Sequence, residues 1–264
     1  MLGSDIGKDM HATVDLWVTE IPVYTAWVML GIILGSVIAY AFLRARSHRA
    51  SAPMVVLDVL LMVLVAGWVG ARLYHVAANW GYYAAKPEEI VQPGLGGLAI
   101  RGAFIFGCLA LAIYSSVKKI SFWYFADAAA LALALGQALG WVGALERGAN
   151  YGVLNDSQMA VDLPDVYGLI QPRFPLQYIE IMFFAVLVVV LLGMASPISP
   201  KGNLFAIYLV SNSIVQFVLG FMRGEATAYV GGLRVDQMVD LVMLILGLSV
   251  MFWRARTNER LGAV

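Results

Sequence analysis

The sequence predicts an all-α, polytopic membrane protein with seven transmembrane helices, its N-terminus outside and its C-terminus in the cytoplasm. Three observations predict this. The 264-residue chain is 61% hydrophobic and only 13% charged, whereas soluble domains carry about 25% charged residues. Seven apolar stretches approach the roughly 20 residues that a helix needs to cross the hydrocarbon core. Basic residues collect in alternate connections, and such loops stay in the cytoplasm.

The chain starts with the polar segment MLGSDIGKDMHATVDLWVTEI, which carries Asp5, Asp9, Asp15 and Glu20. It lacks the basic start and immediate apolar core of a signal peptide. Residues 1–20 are therefore expected to stay attached as an extracytoplasmic segment. Spans are expected at 21–43, 53–79, 97–117, 121–145, 176–195, 203–222 and 235–253. The turns RARSHR, VKK and SPISPK and the tail RARTNER hold Arg44, Arg46, Arg49, Lys118, Lys119, Lys201, Arg254, Arg256 and Arg260. With those inside and the N-terminus outside, the number of spans must be odd.

The outer connections, 80–96, 146–175 and 223–234, are longer. The second holds Asp156, Asp162, Asp165, Pro164, Pro172 and Pro175. It reads as an ordered cap or a flap on a single membrane domain covering residues 1–264. The fourth span, ADAAALALALGQALGWVG, is dense in small residues that let helices approach closely in lipid. It is expected at the centre of the bundle. Trp68, Trp80, Tyr82 and Tyr83 are expected to be interfacial anchors. No internal repeat of the transporter type is visible.

Several chemistries are excluded by composition. Net charge is zero, so nucleic acid is not an expected partner. The single cysteine, Cys108, can form no internal disulfide and belongs to no metal-binding cluster; it reads as a packing residue. Of the three histidines only His75 lies within a span, so a bis-histidine haem is excluded. The last span has no lysine for a retinal Schiff base. No metal and no cofactor are expected.

Six arginines, Arg72, Arg101, Arg147, Arg173, Arg223 and Arg234, fall at the outward ends of apolar segments. A cation beside hydrocarbon persists when it is paired or lines a polar cavity, and the guanidinium fork suits phosphate. Nearby carboxylates, Glu180, Asp236 and Asp240, offer neutralising partners, but the arginines outnumber them. An anionic phospholipid headgroup is the implied ligand. Asp58 and Asp127, near the cytoplasmic ends, read as structural residues that reach basic loops.

These motifs, in this order, resemble the prolipoprotein diacylglyceryl transferases. The matching segments are VYTAWVMLG (23–31), GARLYHV (70–76), GGLAIRGAF (96–104), GWVGALERGANYG (140–152), RFPLQYIE (173–180), FMRGE (221–225) and GGLRVDQ (231–237). The resemblance implies a seven-span enzyme of the bacterial inner membrane that moves diacylglyceryl from phosphatidylglycerol to the lipobox cysteine of a precursor. It implies a functional role for Tyr24, phospholipid contacts from Arg72, Arg173, Gln177 and Arg223, and a role for Glu180. Arg101, Arg147 and Arg234 join the expected headgroup set, and His75 and Glu180 are the candidate bases. In the signature, the glycines Gly140, Gly143, Gly148 and Gly152 are kept, while Trp141, Ala144, Arg147 and Ala149 stand where the family has arginine, two asparagines and glutamate; Arg101 replaces a histidine. The expectation is a divergent member with a degenerate motif, which binds phosphatidylglycerol or a similar anionic phospholipid and whose standard activity is lost or altered. The alternative is a non-catalytic accessory or scaffold subunit of a larger membrane complex.

Overall fold

The computed structural model describes residues 13–16, 19–46, 53–91, 99–196, 201–225 and 227–262. The expectations for the start of the chain, for much of the RARSHR and SPISPK turns and for the first three residues of GGLAIRGAF lie outside the described residues. A hairpin of β1 (Thr13–Leu16) and β2 (Thr19–Pro22) leads into α1 (Val23–Arg46). Then come α2 (Pro53–Ala78), the short α3 (Trp80–Tyr83), α4 (Ile100–Lys118) and α5 (Phe122–Glu146). A hairpin of β3 (Val161–Pro164) and β4 (Ile170–Arg173) precedes α6 (Leu176–Met194) and α7 (Asn203–Gly220). A final hairpin of β5 (Tyr229–Val230) and β6 (Leu233–Arg234) leads into α8 (Val235–Gly262).

Seven of these helices are long and apolar enough to cross a membrane. They match the expected spans within a few residues, apart from α8, which continues about two turns past its apolar part. The three small hairpins were not expected, because the polar connections carry no alternating apolar pattern long enough to announce a strand.

The helix ends follow from local chemistry. Pro53 occupies the first position of α2, where its missing N–H costs nothing. Lys119 closes α4 in the left-handed conformation at φ 53°, and Ile120 N–H returns to the Ser115 carbonyl, which satisfies carbonyls the helix leaves open. Gly148 does the same after α5 at φ 65°. There a Cβ would also lie 2.6 Å from the Asp165 carbonyl oxygen, so this signature glycine has a backbone reason.

The chain divides into two compact units, one of residues 43–126 and one of residues 1–42 with 127–264. In the smaller unit α2 and α4 pack antiparallel through small residues. A Cβ on Gly70 would come within 2.7 Å of the Gly102 carbonyl oxygen, and Ala99 N–H donates to the Ala71 carbonyl at 3.1 Å. Tyr83 departs from its expected role as an interfacial anchor. Only 6% exposed, it packs edge-on against His75 and Tyr82 and lies under the Arg72 guanidinium. Trp68, Trp80 and Tyr82 are exposed as expected.

In the larger unit α5 is central, as its small residues suggested. Ala130 and Ala134 are fully buried, and α1 approaches it closely where Gly31 meets Gly136 and Gly35 meets Ala132. The most enclosed span is nevertheless α7, 56% buried against 44% for α5. Its N-terminus is held by a residue from another helix: the Asp127 carboxylate accepts from Gly202 N at 2.7 Å and from Phe205 N at 3.0 Å. Asp127 is structural, as expected, and one of the two amides it caps, that of Gly202, directly follows Lys201 of the basic SPISPK turn. In the smaller unit, Tyr114 donates to Asp58 at 3.3 Å.

Candidate functional site

The larger unit gathers Arg173, Arg223 and Arg234 around one strand-like segment, residues 151–155. Val153 N–H donates to the Met222 carbonyl and Gly224 N–H to the Tyr151 carbonyl. On the other edge, Phe174 N–H donates to the Val153 carbonyl and Asn155 N–H to the Pro172 carbonyl. The segment therefore stitches the end of α7 to the start of α6, and Gly152 pairs with Arg223 across it.

Arg223 is held by side chains from three helices. Its side chain is 9% exposed and its Nη2 lies 3.8 Å from a Glu180 oxygen. The same Nη2 donates to Gln216 Oε1 at 2.5 Å, and Gln216 Nε2 donates to both Glu180 oxygens at 3.0 Å. The Trp141 ring takes one face of the guanidinium, 5.6 Å from ring centre to Cζ. Gln216 and Glu180 come from α7 and α6, and Trp141 from α5. Stacking on an aromatic face and hydrogen bonding at the edge suit a delocalised, weakly hydrated cation.

Arg173 is tied mainly to side chains of the cap, and Arg234 to the backbone. Arg173 reaches Asp165 at 3.1 Å, Gln171 at 3.0 Å and the Gly152 carbonyl at 3.5 Å, and stacks over Tyr151 at 4.4 Å. Arg234 donates to the carbonyls of Arg223 and Glu225 at 3.3 and 3.1 Å. Glu225 in turn accepts from Asn150 N–H at 2.5 Å. Gln177, fully buried, donates to the Ala149 carbonyl at 3.0 Å; its Oε1 has no partner among the described residues.

Arg147 is exposed and lies 5.6 Å over the Tyr24 ring, so α1 and the end of α5 meet at these two candidates. Beside them, Trp27 Nε1 donates to Glu146 at 2.9 Å. In the smaller unit Arg72 donates to the Glu89 and Ile90 carbonyls at 2.5 and 2.9 Å. His75, one turn on, is half-buried with its ring 5.9 Å from that of Tyr83. Arg101 sits in the first turn of α4. Outside the spans, a hydrogen bond from Tyr82 and the nearby Lys86 ammonium hold the Glu89 carboxyl below its usual range, while hydrogen bonds to Tyr82 and Glu89 push the Lys86 ammonium up.

Several of these arginines thus lie over aromatic rings: Arg72 over Tyr83, Arg147 over Tyr24, Arg173 over Tyr151 and Arg223 over Trp141. Counting carboxylates in the sequence overlooked these partners. Gln137 and Asn212, polar residues within the spans, join a part-buried chain in the larger unit, where Tyr208 donates to Gln137 at 2.5 Å and Gln137 donates to Asn212 at 3.2 Å. One signal was available. Tyr208, Asn212 and Gln216 recur every fourth residue in an apolar helix, which places them on one face.

The fold and this arginine–amide–carboxylate cluster define a multi-pass membrane protein with a built polar site among its helix ends. The family profile described as Prolipoprotein diacylglyceryl transferase matches residues 12–253. A phosphatidylglycerol–prolipoprotein diacylglyceryl transferase of Symbiobacterium thermophilum is 32% identical over 245 residues, 88% of this chain and 90% of the relative. Its namesake in Thermosynechococcus vestitus is 31% identical over 217 residues, 77% and 78% of the two chains. The chain belongs to the prolipoprotein diacylglyceryl transferase family and is a multi-pass protein of the bacterial cytoplasmic membrane.

Proposed function

We propose that the protein binds phosphatidylglycerol or a similar anionic phospholipid and transfers its diacylglyceryl group to the cysteine of a lipobox-containing precursor. One observation carries this reading beyond family membership: Arg223 is held among helix ends by the Trp141 face and the Gln216–Glu180 pair. A preorganised cation of this kind stabilises charge developing on a leaving phosphate without reorganising. In the transfer, the cysteine sulfur attacks the glyceryl carbon that carries the phosphate. An S–C bond forms, the C–O bond breaks, and glycerol phosphate leaves with the electron pair. Glu180, engaged by Gln216, orients the cation and is the candidate base of the larger unit, which also holds Tyr24; His75 is the candidate base of the smaller unit. Arg147, exposed over Tyr24, is a further headgroup contact in the larger unit; Arg72 and Arg101, in the smaller unit, are the headgroup contacts expected there. The 146–175 cap faces the side of the membrane away from the cytoplasm.

A second reading is favoured by one observation. Trp141 and Ala144 are buried apolar residues at signature positions where the family carries polar side chains, and Ala149 is a third such position. On that reading the protein is a non-catalytic subunit of a larger membrane complex. Purified protein, phosphatidylglycerol vesicles and a lipobox peptide separate the two. Transfer is expected as a diacylglyceryl mass gain on the peptide, with Arg223→Ala slower by about 100-fold or more, as for loss of a charge-stabilising donor. No mass gain with folded protein, together with a stoichiometric partner in mild detergent, would establish the second reading.

A further inference from the structure

The 146–175 loop has an apolar tip for which the transfer reading has no use. Val166, Tyr167, Leu169 and Ile170 are all exposed, Tyr167 to 87%, and none lies in a membrane-crossing helix. The tip is built from within. Asp165 is buried, and its Oδ1 accepts from Tyr167 N at 2.9 Å and Leu169 N at 3.1 Å. Its carbonyl accepts from Gly168 N at 2.9 Å, and its own N–H donates to the Leu169 carbonyl at 3.2 Å. Arg173 locks the other carboxylate oxygen at 3.1 Å. The amides of Asp165, Tyr167, Gly168 and Leu169 are therefore satisfied inside the turn, and its one acid faces inward.

Backbone that enters a bilayer must have its polar groups paired within the protein, and four amides of this turn are already paired in that way. A water-facing turn could leave the same amides to solvent. The base of the same hairpin adjoins the end of a spanning helix, since Leu154 bridges Arg173 there. The bond from Val153 N to the Met222 carbonyl, 2.9 Å long, sets the exposed Leu154 beside Phe221 and Met222, the exposed residues that close α7. Tyrosine with aliphatic neighbours is the composition of an interfacial anchor.

We propose that the Val166–Ile170 tip seats in the interfacial layer of the bilayer and holds the 146–175 cap down on the lipid surface. Its partner is the phospholipid bilayer itself, and shallow burial of a few apolar side chains is the mode of attachment. The proposal does not rest on the transfer activity.

The test uses the full chain carrying Cys108→Ala, with Leu169→Cys or Asp156→Cys labelled by an environment-sensitive fluorophore in phosphatidylcholine–phosphatidylglycerol nanodiscs. The label at position 169 is expected to be blue-shifted, quenched by doxyl-labelled lipid and shielded from iodide, and the label at 156 is not. Equal, water-like emission at both positions overturns the proposal. So does a shift at 169 that appears only when a lipobox precursor peptide is added, which would make the tip a peptide-docking surface. Should the cysteine variants not fold, a benzophenone photo-crosslinker at Tyr167 in the otherwise native chain gives the same decision: lipid adducts support the proposal, and their absence overturns it.

Discussion

Gln216 donates to both oxygens of Glu180, at 3.0 Å each, deep between α7 and α6. A charged carboxylate with no surface exposure is costly unless it is hydrogen-bonded, and this amide supplies two bonds while its oxygen receives Arg223. Gln216→Leu removes the bridge from both sides. It should cost about 1–3 kcal/mol of stability, the range for stranding a buried polar partner, read as a lower melting temperature in detergent. It should also reduce transfer. A melt unchanged from the native protein would mean that Glu180 is sustained by other groups.

Trp141 gives Arg223 its aromatic face. Trp141→Phe keeps a ring there, and Trp141→Leu keeps only apolar volume. A double-mutant cycle with Arg223→Leu should show a coupling of about 0.5–2 kcal/mol for tryptophan, smaller for phenylalanine and near zero for leucine. In lipid titrations, Trp141→Leu should raise the apparent KM for phosphatidylglycerol more than it lowers kcat. Zero coupling for tryptophan would make the ring a packing element alone.

Asp127 caps α7 from a neighbouring helix, at the amides of Gly202 and Phe205. Asp127→Asn keeps an acceptor but loses the charge that favours a helix N-terminus, and Asp127→Ala loses both. Stability should fall in that order, with the alanine variant lower by about 0.5–2 kcal/mol, the usual range for a lost cap. Hydrogen exchange should rise in the first turn of α7 and leave its outer end unchanged.

The strap after α3 should respond to pH at two edges. Glu89 has its carboxyl held down by the Tyr82 hydrogen bond first, then by Lys86. Its contribution is present above the ordinary carboxylate value of about 4.3 and lost as pH falls through the lower, folded value. Lys86 is pushed up, so its contribution is present below the ordinary lysine value of about 10.4 and lost as pH rises through the higher, folded value. Hydrogen exchange at residues 83–90 should therefore stay protected across neutral pH, after correction for intrinsic rates. Glu89→Gln should abolish the acid edge and leave the anchorage of the strap by Arg72 in place.

The seven spans, their order and the small-residue centre in α5 were legible in the sequence, because hydropathy and side-chain size act over neighbouring residues. The arginines were legible as a set, and Gly148 as a frame position. What each arginine touches was not. Arg223 meets Trp141, Gln216 and Glu180 from three helices, and Arg173 locks Asp165 through a hairpin with no alternating pattern of its own. Asp127 reaches backbone amides 75 and 78 residues away. A chain written in hydrophobic stretches determines how many helices form and where they end, since each must satisfy its own backbone in lipid. Which faces then meet is decided only when the helices pack, because a buried charge selects partners by geometry and not by nearness along the chain.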